Sequence, residues 1–166
     1  HGILFIADEI QSGLGRTGKM LACEHEGVRA DMICLGKALA GGMYPVSAVL
    51  ASRQILSAFQ PGDHGSTYGG NPLGCAVARE ALCVLVEERL IERAAELGPY
   101  LMGALCDIHS PHVDFIRGKG LWVGLVLKPS AGGARRYAEA LREQGLLCKE
   151  THQHVLRLAP PLVITR

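Results

Sequence analysis

The stretch LFIADEIQSGLGRTGK, residues 4–19, offers two kinds of chemistry at once. Gly13, Gly18 and Lys19 fit G-x-x-x-x-G-K, the spacing of a loop whose backbone amides cradle phosphate. That chemistry also needs a Ser or Thr after the lysine to hold magnesium, and a loop that leaves its strand directly. Met20 follows Lys19 here, and EIQS separates the apolar run from Gly13. A nucleotide-binding module is therefore the weaker reading, and the glycines read as a turn that places Arg16 and Thr17. The stronger candidate is the acid. Asp8 and Glu9 end an apolar run of strand length, and a carboxylate at the C-terminal end of a buried parallel strand faces the ligand crevice of an open α/β sheet. A buried, ionised acid requires a cation or strong hydrogen-bond donors.

Three further elements supply complementary groups. Lys37, in LGKALAGG, follows a second apolar run, and small residues leave room around it. Such a lysine either snorkels to water or serves as an amine nucleophile. With an acid at a neighbouring strand end, the second use has a specific form: a pyridoxal phosphate enzyme needs a Schiff-base lysine and an acid against the pyridinium nitrogen. In HGSTYGGNP, Ser66 and Thr67 bring hydroxyls, the glycines allow close backbone approach, and Asn71-Pro72 opens a helix. Donors at a helix N-terminus suit a phosphate, although Asn71 as an ordinary cap explains the same residues. Arg157, in the apolar VLRLAPP, pairs with an acid of the fold or clamps a substrate carboxylate in bidentate fashion.

The elements that must position these groups follow from the hydrophobic pattern. ILFIAD, DMICLG and VSAVLA are apolar runs of strand length, as expected for a parallel sheet buried on both faces, with room for crossovers between them. A helix is predicted from Pro72, which suits a first helical turn, and a second from about Leu90 to Cys106. After SPH the order becomes strand, strand, helix, strand, strand (VDFIRG, LWVGLVL, GARRYAEALREQG, LLCK, HVLRLA), typical of a smaller α+β domain. The expected division is residues 1–108 and 109–166.

Composition narrows the classes. Of 166 residues, 48% are hydrophobic and 20% charged, a balance that can fill a core. The formal net charge of +1 gives no general attraction to nucleic acid or membrane, and no apolar run reaches the roughly 18 residues of a spanning helix. The six cysteines form no C-x-x-C pair. They read as buried thiols in a reducing compartment and not as a zinc site. The chain opens on HGILFIADE and stops at LAPPLVITR, so a longer parent protein is expected.

Taken together, LFIADEIQSGLGRTGK, GKALAGGMYPVSAVL, PGDHGSTYGGNPLGCAVA, IRGKGL and GLLCKETH…LRLAPPL resemble the class III aminotransferases of fold-type I, over essentially the whole chain and in order. The YPVSAVL, GKG and KETH details resemble the ornithine-specific branch most, with the acetylornithine and 4-aminobutyrate enzymes as alternatives. The resemblance implies part of a large, mostly parallel-sheet α/β domain that binds pyridoxal 5'-phosphate, followed by an incomplete small α+β domain. It implies that Asp8 pairs with the pyridine nitrogen, Gln11 bonds the cofactor's phenolic oxygen, and Lys37 holds the cofactor and shuttles the proton. It further implies that Thr67, helped by Ser66, binds the cofactor phosphate of the neighbouring subunit of a homodimer, and that Arg157 holds the α-carboxylate of glutamate or 2-oxoglutarate. The implied reaction converts L-ornithine and 2-oxoglutarate to glutamate 5-semialdehyde and glutamate. The implied compartment is the cytoplasm, or the mitochondrial matrix for a eukaryotic parent with a transit peptide. Members of the family are far longer, so these 166 residues alone are expected to show weak or no activity; a truncated, non-catalytic chain is an alternative reading beside the nucleotide-binding module.

Overall fold

The computed structural model describes residues 2–166. They form two compact units: residues 2–15 with 19–90, and residues 16–18 with 91–166.

The first unit is built on a three-stranded sheet in the order β1 (Ile6–Asp8), β2 (Met32–Leu35), β3 (Ala48–Ala51). The β1–β2 pair is parallel, with Asp8 opposite Cys34. The β2–β3 pair is antiparallel, with Cys34 opposite Val49. The expected third parallel strand is thus corrected: the sheet is mixed, because the connection from Leu35 returns the chain without a crossover helix. That connection contains a short 3-10 turn over Lys37–Ala40, whose Leu39 and Ala40 are buried and which packs against the helix over Pro72–Glu87. A single helical turn, α1 (Arg53–Leu56), follows β3 with Ser52 as its cap. Helix α2 (Pro72–Glu87) then begins as the residue types require: Pro72 occupies the first turn, and the Asn71 side chain accepts from Gly74 N at 2.7 Å.

Most of helix α3 (Leu90–Cys106) belongs to the second unit. The sheet of that unit has the order β4 (Val113–Lys119), β5 (Trp122–Leu127), β7 (Val155–Leu158), β6 (Lys149–Thr151), antiparallel throughout. The expected strand, strand, helix, strand, strand order is present. The strand placed on LLCK instead begins at Lys149, because Leu146 and Leu147 are exposed. Helix α4 (Arg135–Glu143) lays Ala138 on one face of the sheet, where Leu127, Ala131, Ala134 and Leu156 complete the core. Full burial of a leucine such as Leu156 contributes about 1.5–3 kcal/mol.

The glycine clusters mark close backbone approaches in this second unit. Gly120 has φ +54, and a Cβ there would lie 2.4 Å from the carbonyl carbon of Thr17. A Cβ on Gly98 would in turn meet Gly120 at 2.5 Å, and one on Gly18 would meet Ala95 at 2.8 Å. All six cysteines are free thiols. Four are half-buried and two, Cys75 and Cys106, are exposed, so the expectation of buried thiols is corrected. No helix among the described residues is long and apolar enough to cross a membrane.

Candidate active site

Side-chain alternation at the end of β1 separates the two acids. Ala7 and Glu9 are buried, whereas Asp8 between them is exposed. This corrects the expectation of a buried Asp8: the interior carboxylate is Glu9, which is 3% exposed. Burial by itself would raise the Glu9 pKa. The Ser12 hydroxyl, donating to Oε2 at 2.6 Å, and the backbone amides of Cys23 and Ala22 outweigh it and hold the carboxyl below its ordinary value. The Cys23 amide donates to Oε1 at 2.8 Å. Burial, with the same carboxylate second, pushes the Cys23 thiol pKa up. Glu9 therefore pins the turn after β1 to residues 22–23.

Asp8 is the acid that remains available. Its Oδ1 accepts from Ile10 N at 3.1 Å, a short Asx-type turn that fixes the carboxylate at the strand end. Gln11 follows on the same turn and is half-buried. Because β1 and β2 are parallel with Asp8 opposite Cys34, the C-terminal ends of both strands emerge at one edge of the sheet. Lys37 lies three residues beyond Cys34, at that edge, and is exposed. Its φ is +44, in the left-handed region that a lysine rarely occupies. A non-glycine residue held there costs on the order of 1–3 kcal/mol and persists only where neighbours over-determine it. Buried Leu39 and Ala40 on one side supply that constraint, as does buried Gly36 on the other, where a Cβ would meet Ile10 Cγ2 at 3.3 Å. Asp8 and Lys37 form no ion pair with each other among the described residues.

Ser66 and Thr67 lie in the exposed loop before α2. Ser66 Oγ accepts from Gly69 N at 3.0 Å, and a Cβ on Gly69 would meet Ser66 Cβ at 2.9 Å, so the loop closes tightly on the serine. With Tyr44, Ser47, Tyr68 and Asn71 it borders a cavity of about 520 Å³ in the first unit. Thr67 is not among the residues lining that cavity. Asn71 is the helix cap, and its Nδ2 also donates to Tyr68 O at 2.8 Å. The two readings of this stretch, cap and ligand loop, thus use different groups.

The phosphate-cradle reading of residues 13–19 does not survive the geometry. Gly13 and Gly18 are buried against protein atoms, and Lys19 is exposed outside the turn. Arg16 is half-buried in the second unit, where its Nη1 donates to the carbonyls of Leu121 and Pro160. Burial pushes its pKa down. Arg16 and the buried Thr17 are therefore packing elements. Arg157 sits in β7, paired with Gly124 on one side and Lys149 on the other. Its neighbour Leu156 faces the α4 core, so Arg157 projects from the opposite face of the sheet. Glu9 is the residue whose role was missed. The D-E pair was the available signal, but only the alternation of covered faces assigns the two acids.

A mixed α/β unit with an acid and a strained lysine at adjacent parallel strand ends matches a known class. The family description "Aminotransferase class-III" matches residues 1–166, and the chain belongs to this family, whose members work with pyridoxal phosphate. An ornithine aminotransferase of Halalkalibacterium halodurans is 57% identical over all 166 residues, which correspond to 41% of that protein. An acetylornithine aminotransferase from Elizabethkingia anophelis superposes with TM-score 0.93 at 51% identity, covering 99% of this chain and 42% of that one. The ornithine aminotransferase of Toxoplasma gondii, described with partial occupancy of pyridoxal phosphate at its active site, superposes with TM-score 0.94 at 44% identity over 98% of this chain and 39% of that one. The chain thus spans about two fifths of the length of the relatives it matches.

Proposed function

We propose that a protein of the relatives' length carrying this chain transfers the δ-amino group of L-ornithine to 2-oxoglutarate, yielding glutamate 5-semialdehyde and glutamate. The observation that carries this reading is the placement of Asp8 and of strained Lys37 after the C-terminal ends of two parallel strands. An amine nucleophile and a carboxylate so disposed suit pyridoxal phosphate. The identity to ornithine aminotransferases supports the choice of donor.

Bound pyridoxal phosphate supplies an electron sink, withdrawing charge from the substrate carbon that must lose its proton. Asp8 would face the cofactor's ring nitrogen and keep it protonated through a charge-assisted hydrogen bond. Gln11 hydrogen-bonds the cofactor's phenolic oxygen. Lys37 is the amine that would hold the cofactor. Its Nζ would be the base that takes the proton from the substrate carbon and hands it on. Thr67, with Ser66, would donate to the phosphate of the neighbouring subunit's cofactor in a homodimer. Arg157 grips the carboxylate beside the reacting carbonyl of 2-oxoglutarate.

The test is borohydride reduction of the cofactor-loaded protein followed by peptide mapping. The pyridoxyl group is expected on Lys37, and an adduct confined to Lys19 or Lys119 would end the assignment. The 51% identity to an acetylornithine aminotransferase favours one second reading. Comparing kcat/KM for ornithine and N-acetylornithine separates them: ornithine is expected to be preferred, and preference for the acetylated amine would move the chain to the other branch.

A further inference from the structure

The face of the second sheet that carries Arg157 holds more positive charge than one clamp requires. Cross-strand partners share a face, so the register aligns Arg117 (β4), Gly124 (β5), Arg157 (β7) and Lys149 (β6) in a single row. Three of the four are cations, and the row contains no acid. None of the three makes a side-chain hydrogen bond or ion pair among the described residues. The acid of that hairpin, Glu150, points the other way and pairs with Arg135 at 3.2 Å. The concentration is local, since the whole chain carries 17 Lys and Arg against 16 Asp and Glu. Arg157 and Lys149 are also directly opposite each other, and like charges in that position destabilise a sheet. Gly124 keeps the row open: a Cβ there would meet Val155 Cγ1 at 3.3 Å and the Arg117 side chain at 3.7 Å, so the Arg117 stem lies over the glycine toward β7.

We propose that Arg117 and Lys149 form, on either side of Arg157, an electrostatic surface that recruits the dianionic 2-oxo acid in preference to the amine donor. This rests on the reaction proposed above, in which one substrate carries two negative charges and the other, ornithine, is a net cation near neutral pH. Arg157 remains the group that touches the substrate carboxylate, while Arg117 and Lys149 act as positioning residues through their field. Strands lie about 4.8 Å apart, so the row spans about 15 Å and places each flanking charge within about 10 Å of an anion held at Arg157. At that separation in water, two cations acting on a dianion amount to about a tenfold effect on its capture. Screening at about 0.15 M salt reduces this to about twofold.

The experiment uses the full-length, cofactor-loaded protein and the double variant Arg117→Gln/Lys149→Gln, with Arg117→Lys/Lys149→Arg as the charge-retaining control. In a two-half reaction, kcat/KM for each substrate reports its own half. For the Gln variant, kcat/KM for 2-oxoglutarate is expected to fall about tenfold at low salt and about twofold at about 0.15 M. The value for ornithine should hold or rise, kcat should not change, and the control should behave as the parent. Equal losses for both substrates, a salt-independent loss, or no loss overturns the proposal. If no amino transfer occurs at all, the reaction assignment fails separately. Calorimetric binding of glutarate then still decides about the row: binding weakened by the Gln pair in a salt-dependent way supports it, and unchanged binding refutes it.

Discussion

Asp8 and Glu9 are adjacent and chemically alike, and the structure assigns them opposite duties that substitutions can separate. Glu9 is 3% exposed and accepts from Ser12 Oγ and Cys23 N. Hydrogen bonds to a charged acceptor are worth about 1.5–3 kcal/mol each. Glu9→Ala removes both and leaves the Cys23 amide without its acceptor, so a loss of about 3–5 kcal/mol is expected. Glu9→Gln keeps an oxygen for the Cys23 amide and an NH2 that the Ser12 oxygen can accept, losing only the charge assistance, about 1–2 kcal/mol. Asp8→Asn, at an exposed site with one amide donor at 3.1 Å, should cost less than about 1 kcal/mol. Its catalytic loss should be far larger, because the anion acts on the transition state. The acid dependence gives a second signature. The folded pKa of Glu9 is lowered, so its contribution is fully present above the ordinary glutamate range and is lost as pH falls through the depressed folded value. Denaturant melts of the three full-length variants at neutral and acidic pH, together with turnover, make the comparison. The parent should lose stability toward acid more steeply than Glu9→Gln. Asp8→Asn destabilised as much as Glu9→Ala, or turning over normally, would refute the division of roles.

Two other outcomes follow from single residues. Arg157→Ala in the full-length protein should slow the single-turnover half-reaction with 2-oxoglutarate by about tenfold or more, since hydrogen bonds to a charged group are worth about 1.5–3 kcal/mol; equal slowing with ornithine would make Arg157 structural. Gly120→Ala should destabilise by more than about 2 kcal/mol in denaturant melts, because φ is +54 and the new Cβ would stand 2.4 Å from Thr17 backbone; a neutral result would mean that the approach of residues 16–18 to Gly120 is not required.

Strand positions were legible because apolar runs of four to six residues, bounded by glycine or charge, have few other uses. Strand direction was not. Ala48–Ala51 is apolar whether its neighbour runs parallel or antiparallel, and the twelve residues between β2 and β3 suffice for either. The start of β6 failed for a related reason. Leu146 and Leu147 have the residue types of a strand, yet the ladder to β7 begins at Lys149, where register and not hydrophobicity decides. The glycines were visible as special positions, but Gly18, Gly98 and Gly120 matter through atoms of residues distant in sequence, and no local pattern records those.

The candidate site was legible for a different reason: its residue types are chemically scarce. An unpaired amine, a carboxylate at a strand end and an arginine in an apolar strand each conflict with their local setting, and such conflicts gather where function overrides folding. The backbone strain at Lys37 is the same conflict seen in three dimensions, and the sequence carries no trace of it, since GKALAGG allows ordinary φ values. Burial was the part that composition could not assign. Asp8 and Glu9 differ by one methylene, and which of them enters the interior depends on which face of β1 the Ser12 and Cys23 segments cover. The cationic row is invisible for the reason that makes it informative: Arg117, Lys149 and Arg157 are spread over 41 positions, and only the pairing of four strands brings them into line.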